Sequence, residues 1–290
     1  MSLFAQLTVN GLIAGSVYAL VASGFSLIYG TNKFMHFAHG ISVVVAGYIF
    51  YTAFSLGEVP LFLTLIPTIA LTTFFGVGIY RWIYFPLQKK KASNVILLIA
   101  SIAILILFQN LVQAIYGADV KSVDYASGNF ELLGAAITFL QLAIIFTAVF
   151  LCGGLYLFMK KTRLGRNMRA VFDNRELAKI VGINERAVVE YSFFIGSALA
   201  GIAGILIALE QNLTPTMGTN LIIKGFTGAV VGGVTSVPAA ILGSYFLGMA
   251  ENYGIAFLPS GFKDAIAFAL LFIFLLFRPN GLFGINRGAR

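Results

Sequence analysis

Apolar positions come in long runs rather than in alternation. Polar residues mark the gaps between runs at 5–30, 36–56, 60–84, 94–116, 138–159, 189–210 and 262–277. Each run is near the roughly 20 residues that a helix needs to cross a bilayer. A β-barrel would show short alternating strands instead. An eighth stretch, 223–253, is broken in its middle by Gly232, Gly233 and Pro238. Its length falls short of two full crossings, and both flanks, 211–222 and 254–261, must lie on the same side for the count of crossings to balance. The pattern predicts a re-entrant or strongly bent pair of half-helices. One long kinked helix with a miscounted neighbour is the competing reading. Non-helical backbone at membrane depth is tolerated only where protein or a water-filled cavity surrounds it, and broken helices of this kind mark transport pathways.

The expected fold is therefore an all-α polytopic membrane protein of about eight segments, a single transmembrane domain over 1–290. Composition agrees: 59% of the 290 residues are hydrophobic and only 10% are charged, against about 25% charge in a soluble domain. The net charge of +8 invites a nucleic-acid reading, but the basic residues gather in short loops, as the positive-inside rule requires. Lys89, Lys90 and Lys91 fill one loop. The 160–188 loop holds Lys160, Lys161, Arg163, Arg166, Arg169, Arg175, Lys179 and Arg186 against Asp173, Glu176 and Glu185. Two segments separate these loops, so both sit inside. Counting from them puts Lys33 inside, the N-terminus outside and the acidic 117–137 loop outside. Arg278, Arg287 and Arg290 put the C-terminus inside. Tyr80, Trp82 and Tyr84 are expected to form an aromatic anchor at the inner interface. Residues 1–32 contain no Lys or Arg, so no cleavable signal peptide is expected. The single cysteine, Cys152, has no intrachain partner.

Small residues recur every fourth position at Gly196, Ala200, Gly204 and Ala208, and again at Gly11 and Gly15 and at Gly228 and Gly232. They let helix backbones approach closely, within this chain in the simpler reading or against a second subunit.

The chemistry on offer is sparse. His36 and His39 share a helical face, as metal ligands can, but no cysteine or carboxylate stands near them in sequence, so no metal is expected. There is no Walker motif and no nucleophile elbow, so no cofactor and no enzyme activity are expected in this chain. Glu190, Glu210 and Glu251 all fall near the expected interfaces, which argues against a proton relay or ion-coupled carrier. Asn10, Ser26, His36, His39, Gln109, Asn110, Gly232 and Gly233 are the candidates for a translocation path, with interhelical hydrogen bonding as their simpler role.

The segment "GRNMRAVFDNRELAKIVGIN", 165–184, is out of keeping with the oily chain around it. Asp173 can cap a helix, with Glu176 three residues later in a capping-box arrangement and Gly182 as its stop. Leu177, Ile180 and Val181 share one face. Two turns of helix are marginal alone in water, so this face needs a partner. The lipid surface suits it less than a groove on a protein, because the apolar face is small and Asp173 and Glu176 would oppose anionic headgroups.

Glu176-Leu177-Ala178 with Gly182 resembles the "EAA…G" loop of ATP-binding cassette (ABC) importer permeases, where it forms the coupling helix held by an ATPase subunit. Together with "NGLIAGSVYALVASGFSLIYG" at 10–30, "FAHG" at 37–40, "GAVVGGVTSVPAAILGSYFLGMAE" at 228–251 and "RPNGLFG" at 278–284, the chain resembles, nearly end to end, the permeases of branched-chain amino acid importers and their urea and short-amide relatives. The resemblance implies a second, similar permease, two ATPases that carry ATP and Mg, and a substrate-binding protein docked on the outer face. It also implies the bacterial or archaeal cytoplasmic membrane. The coupling residues would be Arg169, Asp173, Arg175, Glu176, Leu177, Ala178, Ile180, Val181 and Gly182. The family usually has Asn before "FAHG"; here Met35 and His36 precede Phe37, which implies altered specificity if that neighbourhood touches substrate. The alternative function is a passive channel for urea or a similar small polar solute, which needs no docking helix. An intramembrane enzyme lacks any assembled catalytic set.

Overall fold

The computed structural model describes residues 2–125, 127–132 and 134–283. Arg287 and Arg290, expected to help hold the C-terminus inside, lie outside the described residues, as does the last glycine of "RPNGLFG".

Helix α1, Ser2–Asn32, carries no charge and is almost wholly enclosed by the rest of the molecule. α2, His39–Tyr51, ends in a π turn, Thr52–Leu56. α3, Leu61–Ile79, runs through a second π turn, Tyr80–Tyr84, into the short α4, Phe85–Lys89. α5, Asn94–Tyr116, starts at Ser93, whose hydroxyl accepts from the amide of Ile96. Strands β1, Asn129–Leu132, and β2, Ala135–Thr138, pair antiparallel with Asn129 opposite Thr138. This hairpin is a correction to the all-α expectation, although the molecule is otherwise helical. α6, Phe139–Lys161, opens on a full capping box: Thr138 Oγ1 accepts from Gln141 N and Gln141 Oε1 accepts from Thr138 N, both at 3.1 Å. Then come α7, Arg163–Asp173, α8, Arg175–Ile180, and α9, Glu185–Glu210.

α10, Met217–Gly232, and α11, Val237–Gly254, are the broken pair, bent by 113° across residues 233–236. The predicted break at Gly232 and Gly233 is observed. Gly233 takes φ +134°, open to glycine and few others, and Pro238 sits in the first turn of α11, where it lacks no needed donor. The half-helix begins earlier than expected: residues 217–222, assigned to a flanking loop, are helical. Thr219 and Asn220 make this stretch read as polar; Thr219 is taken up by Gln109 of α5 and Asn220 turns to a cavity rather than to lipid. α12, Lys263–Phe277, lies at the periphery, with little of its surface covered. In all, seven described helices are long and apolar enough to span a membrane, besides the bent pair, which makes the protein multi-pass.

The core is α1 sandwiched among α9, α10 and α11, with α2 and α3 packed on the other flank of α9. Glycine sets the spacing. A Cβ on Gly248 of α11 would lie 2.5 Å from Gly15 N and 2.6 Å from Gly11 O of α1. The four-residue stripe on α9 is also used inside the chain: Gly196 faces Ile28 and Gly24 O of α1, and Gly204 faces Ala46 and Gly47 of α2. Close backbone approach of this kind supplies the dispersion contacts that replace the missing hydrophobic drive in lipid.

The loops separate onto two faces. On one, Lys33 Nζ donates to Phe172 O at 2.8 Å, Asn94 Nδ2 donates to Lys33 O at 3.3 Å, and Leu282 N donates to Val231 O at 2.8 Å. On the other, Lys121 and Leu213 form a bridge, Gln6 Nε2 donates to Ala136 O, and Gln141 Nε2 donates to Glu210. The basic loops all share the first face. Of the expected aromatic anchor only Trp82 is outward, 81% exposed. Tyr80 and Tyr84 are buried: the Tyr80 ring stacks on Phe193 at 4.9 Å, and the Tyr84 hydroxyl lies 3.0 Å from His36 Nδ1. Their register on the π turn points them inward while Trp82 points out.

Candidate functional site

Two places stand out, one on each face. On the basic face, the 162–184 segment folds into two helices rather than the single one expected. α7 is capped by Thr162, whose hydroxyl accepts from Gly165 N at 3.0 Å. It buries Met168, Val171 and Phe172. The Phe172 ring lies against Gly30 near the end of α1, where a Cβ would overlap it. Arg169 is on the exposed side of α7, and Asp173 is its last residue.

The cap of α8 is Asn174, not Asp173. Asn174 Oδ1 accepts from both Glu176 N and Leu177 N at 3.0 Å. The predicted capping box of Asp173 and Glu176 does not form, because α7 continues through Asp173 and moves the start of α8 one residue on. The exit is as expected. Gly182 takes φ +84°, with Ile183 N donating to Ala178 O and Gly182 N to Lys179 O, both at 3.0 Å. This is the Schellman pattern, which needs a left-handed residue. Arg175 Nε pairs with Glu185 Oε2 at 2.6 Å and so ties α8 to the start of α9. Ala178 faces inward and is buried, while Glu176 is outside. Leu177, Ile180 and Val181 are 59%, 78% and 74% exposed. Three bare aliphatic side chains on a capped two-turn helix form a knob that nothing among the described residues covers.

On the opposite face, a cavity of about 250 Å³ opens between α1, the end of α9, α10 and α12. On its wall, Lys224 Nζ lies 2.9 Å from Asp264 Oδ1 and 3.2 Å from the Tyr18 hydroxyl. Behind the wall is Glu251, with a side chain 1% exposed. Its Oε2 accepts from the Tyr18 hydroxyl at 2.8 Å and from Lys224 at 3.3 Å. Glu251, three residues from the end of α11, is thus enclosed in protein. Lys224 is seven residues into α10, about 10 Å of helix from its start, and Tyr18 is midway along α1. A lone lysine in an apolar run was the signal for this cluster in the sequence, since charges inside membrane segments are kept for a reason. Glu190 and Glu210 are simpler: the first pairs with Arg81 and the second accepts from Gln141 at 2.8 Å.

The eight path candidates do not share one place, and none lines this cavity. Ser26 donates to Val234 O at 2.8 Å, which brings it to the turn next to Gly232 and Gly233. His36 and His39 are buried together, ring centroids 6.0 Å apart, among Phe34, Tyr84 and Phe193. Gly24 leaves room for the His39 ring. Gln109 accepts from Thr219 at 3.0 Å. Asn10 accepts from Gln6, and Asn110 donates to Ile106 O on an exposed flank.

Comparison with known proteins agrees with this layout. Residues 7–275 match the family described as the permease component of branched-chain amino acid transport systems. The chain is 34% identical to the high-affinity branched-chain amino acid transport system permease protein BraD of Pseudomonas aeruginosa, over 97% of this chain and 96% of that one. It is 33% identical to the corresponding permease LivH of Escherichia coli K12, with the same coverage. A probable LivH of Methanocaldococcus jannaschii is 30% identical over 96% of this chain and 91% of its own length. Among solved structures, a chain of PsaBC from Streptococcus pneumoniae in complex with Fab superposes with a TM-score of 0.54 at 15% identity, covering 93% of this chain and 91% of that chain. That likeness is one of fold.

Proposed function

The chain belongs to the family of branched-chain amino acid transport permeases, and on that premise we propose how it works within an ABC importer. It is the permease subunit, a transporter rather than an enzyme, and its substrates are branched-chain or related amino acids. ATP and Mg belong to two separate ATPase subunits. A second permease of the same kind and a substrate-binding protein complete the assembly. The whole chain is one transmembrane domain in the bacterial or archaeal cytoplasmic membrane. The basic face is cytoplasmic by the positive-inside rule, which puts the N-terminus outside and the C-terminus inside.

The observation that carries the coupling role is the bare apolar knob of Leu177, Ile180 and Val181 on that face. α8 inserts this knob into a groove on an ATPase, with Arg169, Asp173, Arg175, Glu176, Ala178 and Gly182 shaping and flanking it. The push is transmitted by α7. Its Phe172 ring is seated against Gly30, and the Phe172 carbonyl accepts from Lys33, so displacement of α8 bears directly on the end of α1. α1 in turn carries α10 and α11 through its glycine contacts. Tight packing of this kind switches between discrete arrangements rather than deforming smoothly. Ser26, Gly232 and Gly233, at the turn of the broken pair, lie where such a switch would open or close a path. His36 and His39, Asn10, Gln109 and Asn110 remain candidates for its lining.

The test is transport by proteoliposomes holding either the permease alone or the permease with its ATPases, second permease and binding protein. Leucine uptake that requires all components and ATP is the expected result. Uptake of urea or leucine by the chain alone, without ATP, refutes it in favour of a passive channel.

A further inference from the structure

We propose that the cavity beside Lys224 is a binding site for the zwitterionic end of a free amino acid, with Lys224 receiving the carboxylate and Asp264 the ammonium. This rests on the amino acid importer reading above and adds to it the place of recognition within the permease.

The cluster has an uneven build that a structural ion pair does not need. Glu251 and Lys224 are fixed, with side chains only 1% and 14% exposed, and Glu251 is further held by Tyr18. Asp264 is 57% exposed. Asp264, exposed where Lys224 is sheltered, is the member of the pair that can turn from Lys224 to a ligand. Its departure opens the Lys224 ammonium, which Glu251 backs at 3.3 Å, and it frees a carboxylate of its own. A zwitterion satisfies both at once. A ligand with a single charge leaves one side of the site unpaired, and unpaired groups of this sort are the strongest basis for rejecting a ligand.

The rest of the wall sorts in the same way. Gln211, Asn212 and Asn220 supply uncharged polar groups, while Val17, Ile207 and Leu221 supply an aliphatic side for a hydrocarbon side chain. The cavity lies on the face opposite α8, the side from which an importer receives its cargo. By contrast, the depression lined by Leu65, Phe146 and Phe150 is bare hydrocarbon on an outer flank.

The experiment is equilibrium binding of radiolabelled leucine to the purified importer complex without its binding protein, read by scintillation proximity. Unlabelled leucine is expected to compete at least about tenfold better than isoamylamine or 4-methylpentanoate, each of which keeps only one of the two charges. The charge-neutral pair of substitutions Lys224→Met with Glu251→Gln is expected to abolish binding while the complex still assembles. Asp264→Asn, at an exposed position that folding does not require, is expected to weaken it by about tenfold. The exchanged pair Lys224→Glu with Glu251→Lys retains an ion pair but presents the wrong polarity, and is expected not to bind. Equal competition by all three compounds, no binding by the unaltered complex, or wild-type binding by Asp264→Asn and the exchanged pair would each overturn the proposal. Normal ATP-driven uptake by these variants overturns the site and leaves the importer reading standing. A complete unaltered complex that shows no ATP-driven uptake overturns the importer reading instead.

Discussion

Stripping the knob on α8 should detach the ATPase without unfolding the permease. Complete burial of a Val, Leu or Ile side chain is worth about 1.5–3 kcal/mol. Leu177, Ile180 and Val181 are 59%, 78% and 74% exposed, so a groove that covers them gains roughly 1–2 kcal/mol from each, about 3–6 kcal/mol together. Changing all three to Ala removes most of this. At about 1.4 kcal/mol per tenfold, the dissociation constant for the ATPase rises by about 10²–10⁴. The fold should be unaffected, because these side chains contact water rather than the core, and Ala keeps the helix. The assay is titration of purified ATPase onto the permease in nanodiscs, with a thermal unfolding midpoint measured on the same samples. An affinity within about threefold of wild type, less than 1 kcal/mol, would refute the docking argument. A large fall in the midpoint would show instead that the knob is covered from within.

Four further outcomes follow from named positions. Asn174→Ala removes the cap of α8, worth about 1 kcal/mol. It should speed amide exchange at Glu176 and Leu177 about fivefold, whereas Asp173→Ala should leave those two amides within about twofold. Gly248→Val drives a side chain into the backbone of α1 and should destabilise by about 1–3 kcal/mol in thermal unfolding. Gly153→Ala on α6, where a Cβ meets nothing within 4 Å, should be neutral or stabilise by up to about 1 kcal/mol. Tyr84→Phe leaves His36 Nδ1 without its hydroxyl partner and should cost about 1–3 kcal/mol, seen as a lower midpoint in the same assay.

The membrane segments were legible because lipid demands the same answer from every residue of a run. The break near Gly232 was legible because glycine and proline act locally. What escaped was whatever depends on a neighbour distant in sequence. Residues 217–222 read as loop because Thr219 and Asn220 are polar, and only the tertiary arrangement shows that Gln109 of α5 meets the first and a cavity the second. Lys224 was visible as an isolated charge, but nothing local indicates that Tyr18 and Glu251 wait for it. α7 is a different sort of miss. Leu164, Met168, Val171 and Phe172 recur at helical spacing after the Thr162 cap, but among dense charge, and because α7 runs through Asp173 the cap of α8 falls one residue on, at Asn174. Tyr80, Trp82 and Tyr84 share aromatic composition, but the helical register sends both tyrosines inward and Trp82 out.

The contact between α1 and α11 has a consequence for how the molecule is made. Tyr18 and Glu251, joined by a hydrogen bond, are 233 positions apart. Synthesis runs at about 5–20 residues per second, so Tyr18 waits roughly 12–47 seconds for its partner to emerge. During that interval the glycine-lined, hydroxyl-bearing surface of α1 faces lipid or some temporary companion. The helix that becomes the most enclosed is thus the one left longest incomplete, and the point at which biogenesis is most open to error lies in the chain's first turn of work, not its last.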